Sequence, residues 1–205
     1  MILDAVAQLL PPHYSPISQA ESDLAVGPFG YIMTVNFLNR GLLSLAFLAA
    51  FASSTKELGH DSPRSRTGIA LLGVWSVGAI LLAIFPTDVP ATPVTWHGLI
   101  HLVVAVFAFL GGAFGALAVS LHMRKVKALD GISSEALAVA CVSVFLCLLD
   151  LLQRSISKAL ANHYSGLVER LFLGSVLLWI ALVSGYFVMR EKDSAPTVGA
   201  EPRIV

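Results

Sequence analysis

Along this chain the apolar positions gather into five runs separated by short polar segments, each long enough, at about 1.5 Å per helical residue, to cross about 30 Å of hydrocarbon. The runs predict helices over 29–53, 68–85, 95–122, 134–152 and 167–189. Pro28 stands where helices favour proline, at the first turn. Residues 1–28 are mixed, broken by Pro11, Pro12 and Pro16, and they hold no lysine or arginine. They read as a short interfacial stretch followed by a polar loop. Met1 to Leu10 carries Asp4 and no positive charge, unlike a cleaved signal peptide. Residues 190–205, charged and proline-containing, have the composition of a disordered tail. The pattern is that of an all-α, polytopic transmembrane helical bundle of five full spans over 29–189.

Composition agrees. Of 205 residues 56% are hydrophobic and 13% charged, where a soluble domain carries about 25% charge, and the mean hydropathy is +0.79. The formal net charge is zero, so nothing argues for nucleic acid or another polyanion as partner. Cys141 and Cys147 share one apolar run and read as packing. Trp75, Trp96 and Trp179 read as interface anchors or packing residues.

Basic residues set an orientation. Outside the runs there are none before the first, three after it, none after the second, three after the third, two after the fourth and three in the tail. The positive-inside rule then places the N-terminus outside and the C-terminus in the cytoplasm, with the plasma (inner) membrane of a bacterium as the expected location. This orientation collects Asp23, Asp88, His97, His101, Asp150, Gln153, Arg154, Glu169 and Arg170 near the outer ends of the spans, with Arg40 deeper. An arginine near a span's middle costs about 2.5 to 3.5 kcal/mol on insertion scales, so Arg40 is expected to face protein or water. Asp150 and Arg154, four residues apart, can pair on one helix face. Asp23, Asp150 and Glu169 are candidate partners for Arg40. A polar pocket opening outward is the inference, with Asp23, Arg40, Asp88, His97, His101, Glu169 and Arg170 as candidate ligand contacts.

The stretch from Phe85 to His101 joins two spans through a loop holding three prolines and Asp88. His97 and His101 then share a helix face, with roots about 6 Å apart. Two readings stand for them: hydrogen bonding to neighbouring carbonyls, or contact to a substrate or metal, with zinc the candidate ion, Asp88 the nearest third ligand, and haem ligation a further option. Asp88 also suits the capping of a turn or of the following helix. Gly111 and Gly115 form a small-xxx-small pair that would let another helix approach closely.

No nucleophile elbow, Gly-rich phosphate loop, His-Glu-x-x-His or Cys-x-x-Cys occurs, so the familiar soluble-enzyme chemistries find no support. Four functions remain: binding of a small ligand or lipid headgroup in the outer pocket; metal-assisted lipid hydrolysis at the outer leaflet, with His97, His101 and Asp88 as its centre; a non-catalytic subunit or assembly factor using the Gly111/Gly115 face; and transport, for which five or six helices without a visible repeat leave little room outside an oligomer.

Several short motifs carry a family resemblance. His13-Tyr14-Ser15-Pro16-Ile17-Ser18-Gln19, Ser22-Asp23-Leu24, Phe85-Pro86-Thr87-Asp88 with downstream Gly98 and His101, and Glu169-Arg170 resemble the prokaryotic integral-membrane family called domain of unknown function 998. The resemblance covers about Tyr14 to Met189. It implies a compact six-helix inner-membrane protein without an assigned activity, and it implies Ser22, Asp23, Asp88, His101, Glu169 and Arg170 as motif positions. One departure stands out: where the family has a full helix before the Tyr-Ser-Pro motif, only Met1 to Leu10 is present, which reads as a remnant of a sixth helix, either lost or cut short by a late-placed start codon.

Overall fold

The computed structural model describes residues 2–10, 13–57, 62–89, 92–155 and 163–194. Its helices in chain order are α1 (Ile2–Gln8), α2 (Gly30–Glu57), α3 (Pro63–Ile84), α4 (Trp96–Met123), α5 (Asp130–Ser155) and α6 (Ser165–Ser194), with 3-10 turns at Glu21–Ala25 and Lys127–Leu129. Among the described residues there is no strand. The five long helices have spans of mean hydropathy 1.4 to 2.5, enough with their length to cross a membrane. They keep large apolar side chains on the outside, among them Leu43, Phe107 and Phe145. In water those faces would have to be covered; in a bilayer they meet lipid.

α3 starts at Pro63, ahead of its apolar run, because a polar group finishes it, and α4 starts at Trp96, within one residue of its run. Ser62, with its hydroxyl accepting from Ser65 N, caps α3 ahead of Pro63, and Thr95 caps α4 by accepting from Gly98 N. Both caps satisfy orphan N–H groups of a first turn. α6 continues to Ser194, so the first residues of the expected tail are helical; residues 195–205 lie outside the described residues, as do Pro11, Pro12 and Lys158. The chain before α2 is more ordered than a polar loop. α1 packs Ala7 against Met33, Phe37 and Leu82, and Gly27 turns the chain into α2 at a φ of 122°, which favours glycine.

Small residues govern the closest helix pair, α3 with α4. A Cβ on Gly111 would stand 2.6 Å from Leu71 O, one on Gly115 2.8 Å from Leu72 N, and one on Gly78 2.6 Å from the Ala108 Cβ. The Gly111/Gly115 face therefore receives α3 of the same chain. Trp75 lies against Gly112. The buried indoles of Trp75 and Trp179 donate to Ser44 Oγ at 3.3 Å and Ser120 Oγ at 2.8 Å, as a donor withdrawn from water must. Cys141 is exposed and Cys147 buried, both as free thiols.

Candidate functional site

Five antiparallel spans bring the C-terminal ends of α3 and α5 beside the N-terminal portions of α2, α4 and α6, and the segment before α2 covers this end. A cavity of about 120 Å³ lies here, with Glu21, Asp23, Arg40, His101, Asp150, Arg154 and Glu169 among its lining residues. Phe37, Leu82, Phe109 and Leu173 form its apolar wall.

The charges are arranged in two groups. Arg40 Nη2 is 2.6 Å from Glu21 Oε1, with 6% and 1% of the two side chains exposed. Asn36 Nδ2 donates to the same oxygen at 3.2 Å. Glu21 Oε2 is buried and has no hydrogen-bond partner among the described residues. In the second group Arg154 serves two acids: Nε donates to Asp150 Oδ2 at 2.8 Å and Nη2 to Glu169 Oε2 at 2.9 Å. Asp150 and Glu169 are both buried. The helix-face pair Asp150–Arg154 is thus present, and it extends to a neighbouring helix. Arg40, by contrast, is paired with Glu21 and not with Asp23, Asp150 or Glu169. Glu21 arrives on a 3-10 turn from a proline-broken segment with no helical periodicity, so spacing alone could not single it out. Its position beside Asp23, on the outer side, was the available signal. At the wall, burial pushes the Asp23 carboxyl above its ordinary range.

His97 and His101 part company. His101 is buried and its Nδ1 lies 2.7 Å from Phe85 O; a carbonyl accepts, so Nδ1 carries the proton and Nε2 of the neutral ring is an acceptor. His97 is exposed and stacks on Trp96 with ring centroids 3.5 Å apart. Asp88 turns to its own loop, accepting from Thr95 N at 2.9 Å and from Thr95 Oγ1 at 2.6 Å. These bonds hold its carboxyl below the ordinary carboxylate range, the hydroxyl contributing most. A Cβ on Gly98 would strike the Asp88 carboxylate. Phe85, Asp88, Thr95, Gly98 and His101 therefore form one clasp that closes the loop onto the first turn of α4. Neither His97 nor Asp88 lines the cavity. Among the described residues no three His, Cys, Asp or Glu side chains are grouped to hold a metal ion.

Arg170 also stands apart from the cavity. Its Nη1 donates to Pro16 O and Gln19 O, each at 3.1 Å, and its Nη2 donates to the Tyr14 hydroxyl. Ser165 Oγ donates to Ser18 O at 3.0 Å and Leu167 N to Ile17 O at 3.0 Å. The Tyr14–Gln19 segment is so tied to the first turn of α6, where a Cβ on Gly166 would meet the Pro16 and Gln19 carbonyls. Asp4 Oδ1 is 3.6 Å from Arg170 Nη2, and burial raises the Asp4 carboxyl. Two motifs far apart in sequence, one at Tyr14 and one at Arg170, are the two halves of a second clasp.

Five lipid-length helices around a buried polar cavity define a multi-pass membrane protein. The chain belongs to the family described as protein of unknown function (DUF998), whose model matches residues 1–186. The match includes the α1 segment as well as the stretch from Tyr14 onward. No curated protein and no solved structure matches the chain.

Proposed function

We propose that this protein binds a small polar ligand or a lipid headgroup in the cavity at the outer end of its helices, within the bacterial inner membrane. The observation that carries the reading is a cavity bounded by charged side chains from the segment before α2, from α2, α5 and α6, several of them buried. A polar cluster that served only to tie helices together would close on itself; this one leaves room for about the volume of several waters. The basic-residue distribution supports an outward opening. Binding is favoured over lipid hydrolysis centred on His97, His101 and Asp88, because Asp88 and His101 are engaged in closing their loop and His97 faces outward.

Native mass spectrometry of the protein in lipid nanodiscs tests this reading. Ala105 lines the cavity, and Ala105→Trp fills it. A ligand mass retained by the wild type and missing from a folded Ala105→Trp variant is the expected result. The same bound mass on both proteins would overturn the proposal.

A further inference from the structure

The geometry points to a positively charged amine as the group this cavity receives, on an amphiphilic molecule whose apolar part lies against Phe37, Phe109 and Leu173. This inference rests on the binding function proposed above and names the chemistry of the ligand.

Four carboxylates line the cavity, on Glu21, Asp23, Asp150 and Glu169, against two guanidinium groups, on Arg40 and Arg154. Both guanidiniums already have acidic partners. Arg40 is held by Glu21, and Arg154 is shared by Asp150 and Glu169. An anionic ligand would add negative charge to a cavity in which acidic groups already outnumber basic ones. The unmet demand has the opposite sign. Glu21 is 1% exposed, lines the cavity, and keeps Oε2 without a donor among the described residues. His101 adds Nε2, an acceptor once Nδ1 donates to Phe85 O. A protonated amine carries three donors and one positive charge, which answers the acceptor excess and the charge excess together. Its attached chain has a path outward: Leu102 on α4, 51% exposed, and Arg154 on α5 both belong to the cavity wall. The shared chemistry is therefore an alkylammonium, whether from a free amine or from an ethanolamine lipid headgroup.

Thermal unfolding in maltoside detergent with decylamine, decanol and decanoate at matched concentrations tests the charge. Decylamine is expected to stabilise the wild type while the other two do not. In Glu21→Gln, which keeps an acceptor for Arg40, and in Asp23→Asn, which leaves the Arg40–Glu21 pair intact, the half-saturating amine concentration should rise at least about tenfold. Lysophosphatidylethanolamine stabilising as decylamine does assigns the amine to a lipid headgroup; decylamine acting alone assigns it to a free amine; either supports the proposal. Equal or greater stabilisation by decanol or decanoate, abolished in Ala105→Trp, would overturn the amine and leave the cavity a binding site. No stabilisation of the wild type by any of these amphiphiles, with Ala105→Trp behaving alike, would overturn the binding function and the amine with it.

Discussion

Arg40 Nη2 and Glu21 Oε1 stand 2.6 Å apart, 19 residues distant in sequence and both almost wholly buried. Each group is tolerable at this depth only through the other. Removing one partner leaves an uncompensated buried charge, at a cost of about 3 to 5 kcal/mol, whereas replacing both with apolar groups recovers much of it. Glu21→Leu and Arg40→Leu should each lower thermal stability strongly, and the double variant should be more stable than either. Additive losses in a thermal double-mutant cycle would show that the two side chains do not act as a pair.

The clasp at Asp88 makes a pH prediction. Bonds from Thr95 lower the folded carboxyl below its unfolded range, so its contribution is complete above that range and is lost as pH falls through the lowered value. Between about pH 5 and about pH 3 the wild type should lose more stability than Asp88→Asn, read by thermal unfolding in detergent. Gly98→Ala, which forces a Cβ into the Asp88 carboxylate, should cost about 1 to 3 kcal/mol at neutral pH.

Arg170 holds the chain before α2. Arg170→Ala removes bonds to Pro16, Gln19 and Tyr14, with an expected loss of about 2 to 3 kcal/mol. Hydrogen exchange should accelerate over residues 14–20 while the interior of α3 and α4 stays protected. Unchanged exchange over 14–20 would contradict this role.

The glycine face of α4 leads to a prediction about assembly. Gly115→Leu would drive a side chain into α3, so the variant should unfold at lower temperature with its oligomeric state in mild detergent unchanged. A shift in molecular mass at unaltered stability would instead make this face an interface.

Much of the architecture was legible because the bilayer imposes length and polarity on every span. The start of α3 was less so: Ser62 extends that helix by capping chemistry, beyond the reach of the apolar pattern, whereas α4 begins within one residue of its run. Within the candidate site, Asp150 and Arg154 could be paired from helix geometry alone, since four residues on one face must meet. Glu21 could not, because only the docking of residues 14–20 on α6 carries it over Arg40. For His101 the carbonyl-bonding reading holds, and spacing alone could not show that His97 would differ. Their spacing puts them on one side of α4, yet Phe85 O draws His101 inward while His97 lies outside on Trp96. Arg170 lies next to a cavity residue in sequence, but one position along a helix turns it toward Tyr14 instead.

The proposed polar cavity opens to the outer face. In a background of Cys141→Ser and Cys147→Ala, Ser22→Cys places a thiol on the cavity wall, and Arg124→Cys places one on the exposed turn after α4. A membrane-impermeant maleimide applied to intact bacterial cells should label Ser22→Cys, less so when Ala105→Trp is added, and should reach Arg124→Cys only after permeabilisation. Labelling of Arg124→Cys in intact cells, with Ser22→Cys protected until the membrane is opened, would contradict the outward-facing site.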